Sequence, residues 1–425
     1  MVRKLFKNIL WIFFLVMMIL LVPSSFSLHA QTEDRSIVIA MGIDKTEDNQ
    51  YEVSIEFVVP RYATTYNQNA QVISAVGVNT TDAFVGLSLH VGRIIGLSHC
   101  STVLIGESLK NDDIIEIIDQ VLRGKRVNYN AQLIYAEGKA KDILQKAIET
   151  DVGYNLNINM IVQFNDLFIN AKTLLLSDFY KTYYQGYGAS YMPALSLSEK
   201  DTEGISPNSS SSDAGQSSSQ EQGGSSSQGE SDSNQGSKNN TQKYFSNDGK
   251  TAIFSKGRFV TMLSPDDVTG FGLMTNESTR GAIVLDNVTN KYFTDAQITF
   301  SIRNRTATRV VKFSKTGKPQ VFYNFNYALQ IEQVRNGIYN PNIVSDTKDF
   351  FTPELKSKIS DKIKGESAKA IQKAKELKLD LFDLYEAFDK YQHSEWQEYL
   401  KNLENREDYM DDIEFFMQVN VFDTN

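Results

Sequence analysis

The residue types that carry most enzyme chemistry are scarce in this chain, with four His and one Cys among 425 residues. His99-Cys100 holds the ingredients of a thiol–imidazole pair. Neighbours on an extended segment point to opposite faces, however, so the two side chains diverge. A strand-end Cys packed as a small hydrophobe is the expectation. His393-Ser394-Glu395 has triad residue types but sits in a polar run before Trp396, without a G-x-S-x-G elbow. It reads as a solvated helix face. Asp408, Asp411, Asp412 and Glu414 lack the alternating ligands, central Gly and closing Glu of an EF-hand loop, which predicts a solvated helix end. Gly270 and Gly272 are followed by strand-like sequence rather than a helix start, so they offer no amide cradle for phosphate. Arg303, Arg305, Arg309, Lys312 and Lys315 cluster on adjoining strand-like sequence. Solvent-face charges opposite an apolar face are the default reading, and a docking patch for anionic headgroups or an acidic partner is the alternative. No catalytic, cofactor-binding or metal-ligating residue is therefore named.

Composition removes further classes. A net charge of −9 argues against a general nucleic-acid binder, which carries a basic face. One Cys excludes a disulfide framework, a zinc ribbon and an iron–sulfur cluster. The length suggests two or three domains, each able to bury a core.

The elements that would position any site fall on two sides of one composition break. Ser206 to Ser237 contains fourteen Ser and five Gly, a stretch that cannot bury enough surface to offset chain entropy and is predicted to be a flexible coil. A tolerated surface insertion is the default reading, and a glycosylated stalk or phospho-switch the alternative. Before it, residues 35–45 and 51–60 are Val/Ile-rich around a polar turn and predict a β-hairpin. A third strand is expected over 72–78. Thr80-Thr81-Asp82 would cap a helix from Ala83, followed by a buried strand over 101–106. Asp112-Asp113 would cap the next helix, followed by a strand over 131–136 and a helix over 138–149. A longer amphipathic helix is predicted over 164–184. After the tract come a hairpin over 251–263 turning at Lys256-Gly257 and long alternating strands over 281–288, 296–313 and 319–334. Thr352-Pro353-Glu354 is a strong helix start, the helix burying Leu355, Ile359, Ile363, Ala370, Ile371, Ala374 and Leu377. A terminal strand is predicted over 415–422. Without a regular βαβ repeat the expected class is α+β: two or three subdomains with mostly antiparallel mixed sheets flanked by helices, plus a disordered Ser-rich insertion. The expected division is 1–31 leader, 32–196 first α+β domain, 197–243 linker and 244–425 second α+β domain.

Arg3, Lys4 and Lys7 precede an unbroken apolar run from Ile9 to Val22, closed by Pro23-Ser24-Ser25. These are the parts of a secretory signal. Fourteen residues cover about 21 Å, short of a hydrocarbon core of roughly 30 Å. A cleaved signal, at Ser25-Phe26-Ser27, and an uncleaved anchor both remain open. In either case everything after Gln31 is expected to face out.

Several motifs together resemble the Ger(x)C family, the C subunits of spore germinant receptors. The run Val38 to Asp44, ending Gly-Ile-Asp, with the strand from Tyr51, is similar to that family's opening hairpin. Thr81-Asp82-Ala83-Phe84 resembles its helix start, and Ser98-His99 running into 103–108 resembles its Ser-His and Gly-Glu strand. Residues 114–123 are similar to the following helix with its closing Arg, and 136–144 to an Ala-x-Gly-x-Ala-x-x-Ile-Leu step. Residues 252–263 resemble the hairpin that opens the C-terminal domain. Asp380, Phe382 and Trp396 sit where that domain has an Asp, a Phe and a Trp. Two departures stand out: no Cys closes the apolar run, so lipid attachment does not carry over, and Arg123 is followed by Gly124.

The resemblance implies a non-enzymatic, exported subunit of a nutrient germinant receptor, membrane-associated on the outer face of the spore inner membrane. Its implied partners are an A-type subunit and a transporter-like B-type membrane subunit, with no cofactor. The alternatives are an exported envelope enzyme and a stand-alone small-molecule-binding module. Gly42, Asp44, Gly106 and Gly138 read as turn and packing positions.

Overall fold

The structure, a computed structural model, describes residues 11–17, 35–58, 70–125, 127–150, 174–200, 242–246, 249–274, 281–290, 292–335 and 351–424. The leader's basic end and cleavage region, residues 201–241 of the Ser-rich tract and residues 164–173 of the expected helix lie outside that set. Residues 11–17 are helical, and among the described residues no helix is long and apolar enough to cross a membrane.

The expected opening hairpin forms. β1 (Arg35–Lys45) pairs antiparallel with β2 (Tyr51–Val58), which pairs with β3 (Ala70–Gly77). Helix α1 (Thr80–Val91) is capped one residue earlier than the sequence suggests. Asn79 accepts the Asp82 N–H at 2.8 Å, while Asp82 accepts the Val78 N–H at 3.1 Å.

β4 (Ile94–Gly96) and β5 (Thr102–Gly106) both lie parallel to β1. Helix α2 (Ile114–Lys125) then crosses over to β6 (Gln132–Glu137), parallel to β5. α3 (Ala140–Thr150) and α4 (Leu176–Gln185) precede β8 (Ser190–Lys200), parallel to β6. The first sheet thus contains a parallel centre joined by helical crossovers, which the sequence reading did not anticipate. Every residue of β5 is buried, as a strand covered on both faces requires. α3 covers one face, closing over Ala40, Leu104 and Ile134, while α1, α2 and α4 cover the other around Phe84, Ile118 and Phe179. The long helix expected through Tyr184 starts only at Leu176, because Leu174–Leu175 form β7 against β6.

A larger departure follows the Ser-rich tract. β9 (Gln242–Ser246) pairs with the outer end of β8, Lys200 opposite Gln242. β10 (Thr251–Ser255) pairs with the inner end of β8, and β11 (Arg258–Leu263) completes the hairpin. The turn is Lys256-Gly257, as expected, with φ of +50° and +79°. Residues beyond the tract therefore finish the sheet begun before it.

α5 (Pro265–Met274) leads into a second sheet ordered β12 (Ala282–Val288), β13 (Ala296–Phe313), β14 (Pro319–Arg335) and β15 (Glu414–Asp423). Its inner face packs on α6 (Pro353–Leu377), whose buried stripe is the predicted one apart from half-buried Leu377. Thr352 caps that helix by accepting the Leu355 N–H at 3.2 Å. After α7 (Leu384–Tyr391), α8 (His393–Asn402) and α9 (Tyr409–Asp412), β15 returns parallel to β14. Gly270 sits inside α5, where a Cβ would stand 2.6 Å from the Glu366 carbonyl oxygen of α6. The glycine lets the two helices touch backbone to backbone.

Four motif residues from distant parts of the first half meet at one point. Asp44, at the end of β1, is buried and accepts the Ala140 and Lys141 N–H groups at 2.9 and 3.0 Å, capping α3. Gly42 lets Ala140 approach, since a Cβ there would stand 2.9 Å from the Ala140 Cβ. A Cβ on Gly106 would lie 1.9 Å from Asp44 Oδ1. Gly138, at φ +99°, turns the chain into the helix and exchanges hydrogen bonds with Glu107 at 3.0 and 3.1 Å. Gly106→Ala is expected to cost about 2–4 kcal/mol by overpacking the site and displacing the cap. Asp44→Ala, which removes only the cap, should cost about 1–2 kcal/mol. Urea unfolding midpoints of the two variants check both values and their order.

Candidate functional site

The described residues contain no group of three or more His, Cys, Asp or Glu placed to hold a metal ion. Cys100 is fully buried beside exposed His99. Its Sγ lies 3.3 Å from the Thr102 carbonyl, and burial pushes the thiol up to about 12. It behaves as the small hydrophobe anticipated. His393 Nδ1 lies 2.9 Å from Asp389 on an exposed helix face. The acidic run is divided among separate partners. Asp408 pairs with Lys378 at 2.9 Å, Asp412 accepts from the Tyr399 hydroxyl at 2.8 Å, and Glu414 accepts from Gln320 at 2.7 Å.

The basic cluster is also divided, and here the default reading needs correction. A bulge between Ile302 and Asn304 shifts β13 by one residue, so side chains beyond it change face. Arg303 stays outside, 2.7 Å from Gln330, and Lys312 lies 4.0 Å over the Phe322 ring. Arg305 instead turns inward to the Gly272 carbonyl at 2.5 Å and is 7% exposed. Arg309 donates to the Phe382 carbonyl and, at 3.1 Å, to that of Asp383. Two of the five cations therefore brace backbone carbonyls, and no continuous docking patch forms from the set.

The carbonyls that Arg309 holds belong to the loop where the two halves of the chain meet. α6 closes on Lys378, left-handed at φ +53°, and the chain doubles back into α7. Asp380 organises the reversal. Its carboxylate accepts the Phe382 N–H at 3.1 Å, the Tyr385 N–H at 2.7 Å and the Tyr409 hydroxyl at 3.0 Å. Burial raises its pKa against the opposing pull of these N–H bonds, and the same burial, with Asp380 beside it, pushes the Tyr409 phenol up. Beneath the loop, Trp396 is fully buried and stacks on Phe388 at 4.8 Å. It meets Tyr385 and Tyr409 edge-on at 5.6 and 5.3 Å.

Residues of the first half complete the place. Tyr191 donates its hydroxyl to the Leu381 carbonyl, and Lys181 pairs with Glu386 at 3.1 Å. Tyr187 stacks on Tyr385 with centroids 3.8 Å apart. Between the halves lies a cleft of about 260 Å³, whose walls include Tyr187, Lys256, Lys378, Asp380, Tyr385 and Tyr409. Its lining holds no His or Cys, so a cationic rim against an aromatic wall is what it offers a ligand. Asp380 was legible as a motif position. Lys256 was singled out only as a turn residue, and nothing in the sequence pattern singled out Lys378.

Because the native fold binds the Asp380 proton more tightly than the unfolded chain does, this group's contribution to stability falls as pH rises through its raised native value. Asp380→Asn should flatten that slope in chemical unfolding measured between pH 4 and 7. At pH 7 it should still lower stability by about 1–3 kcal/mol, since an amide cannot accept from all three donors. A variant that keeps the wild-type slope would remove Asp380 as its origin.

Comparison with known proteins places this architecture. Residues 29–197 match the family model described as spore germination protein N-terminal domain, and residues 249–422 match spore germination B3/GerAC like, C-terminal. The putative spore germination protein YfkR of Bacillus subtilis (strain 168) is 26% identical over 132 residues, 29% of this chain and 34% of that protein. Spore germination protein KC of the same organism is 23% identical over 217 residues, 48% of this chain and 52% of that protein. The chain thus spans about a third and about half of the length of these two curated relatives. The crystal structure of the GerBC protein superposes with a TM-score of 0.49 at 16% identity, covering 91% of this chain and 98% of that one. With two domain models matched in order across most of its length, this chain belongs to the Ger(x)C family of spore germination proteins.

Proposed function

We propose that this chain is a non-enzymatic, extracytoplasmic subunit of a nutrient germinant receptor. It acts in spore germination by touching an A-type subunit and a transporter-like B-type membrane subunit. The observation that carries this reading is the ordered pair of germination-protein domains on one chain, at residues 29–197 and 249–422. The basic-then-apolar head supports the outward, membrane-associated placement, by signal or by anchor. The braced junction supports it as well. Tyr191, the Lys181–Glu386 pair and the Tyr187–Tyr385 stack hold the halves so that a partner meets one surface rather than two loosely joined ones. A subunit of this kind influences a complex only through contacts that differ between the complex's two states. Affinity capture of the tagged full-length chain from detergent-solubilised spore membranes should co-purify a transporter-like membrane subunit. Recovery of the chain alone, under conditions that keep other membrane complexes intact, would defeat the reading.

A further inference from the structure

Six non-glycine residues occupy the left-handed region among those described, and four of them are Asn or Asp, the types that tolerate it. The remaining two are Lys256, at φ +50°, and Lys378, at φ +53°. They lie 122 positions apart in sequence, on a hairpin turn of the first half and a helix end of the second, and both line the same cleft. Asn would suit the first position, where Asn-Gly is the favoured two-residue turn, and Gly the second, where it is the favoured helix terminator. Each site thus carries a cation where an uncharged residue would fit the backbone better, and such strain collects at binding sites. Arg406 adds a third cation to the lining.

Three acidic groups stand nearby. Asp408 lies 2.9 Å from the Lys378 ammonium and Asp411 4.0 Å, so that ammonium is already paired, through solvent-exposed contacts that cost little to exchange for a ligand's carboxylate. Asp380 spends its carboxylate on two backbone N–H groups and the Tyr409 hydroxyl. The wall beside the cations is apolar and flat, made by Leu379 and the stacked Tyr187 and Tyr385. A cavity of about 260 Å³ is at the small end of ligand sites and suits a molecule of amino-acid size.

We propose that the cleft between the two halves binds a small organic carboxylate with a flat apolar body. The carboxylate sits among Lys256, Lys378 and Arg406, and the body lies against Tyr187 and Tyr385. Trp396 touches Tyr385 and Tyr409 from behind and so reports occupancy. The chain has two Trp, the other being Trp11.

The test uses the full chain in detergent carrying Trp11→Phe, titrated with benzoate, its neutral isostere benzamide and inorganic phosphate, by fluorescence and by calorimetry. Saturable benzoate binding is expected with half-saturation near about 1 mM, with benzamide and phosphate each at least about tenfold weaker, as a missing charge or missing apolar contact implies. The double variant Lys256→Asn/Lys378→Gly relieves both backbone positions, so its melting midpoint should not fall, while benzoate affinity drops at least about tenfold. The proposal is overturned if the wild-type cleft gives no saturable signal with benzoate up to about 50 mM, roughly fifty times the expected half-saturation. It is equally overturned if benzamide or phosphate binds as well as benzoate, or if the folded double variant binds benzoate unchanged.

Discussion

Each half of this chain turns on a buried aspartate that accepts two backbone N–H groups. Asp44 takes two from the start of α3, tying the end of β1 to the helix that covers one face of the first sheet. Asp380 takes two from the loop entering α7 and a hydroxyl from the edge of β15's approach. A buried carboxylate is costly unless its lone pairs are satisfied, and the geometry that satisfies them is narrow. That narrowness imposes the glycines around Asp44 and the aromatic packing around Asp380. The cost of burial shows in the raised pKa of both groups.

Much of the local structure could be read from the sequence. The opening hairpin, the Lys256-Gly257 turn, the capped start of α6 and its buried stripe follow from periodicity and turn chemistry alone. Gly42, Asp44, Gly106 and Gly138 could be singled out as motif positions, but not their convergence. They lie up to 96 positions apart, and only the parallel order of β1, β5 and β6 brings them together.

The missed features share a physical cause. Alternation tells which residues share a face, not which strand lies alongside, so nothing local predicted that β10 would pair with β8. A single bulge reverses the alternation without leaving a composition signal, which is why Arg305 and Arg309 read as free solvent charges yet brace backbone carbonyls, Arg305 from a buried position. The seam between halves is likewise built from pairs that no window of sequence contains, such as Tyr187 with Tyr385.

The Ser-rich tract looks in sequence like a tether whose length would set the spacing of two bodies. The pairing of Lys200 with Gln242 makes it something else, because both of its ends are fixed side by side on adjacent strands of one sheet. Closure entropy for such an excursion grows only logarithmically, roughly 0.6 kcal/mol for each doubling. The stretch is therefore free to lengthen, shorten or drift in composition over evolution without disturbing how the halves are set against one another. Selection on its content, where there is any, acts through what it meets outside the fold.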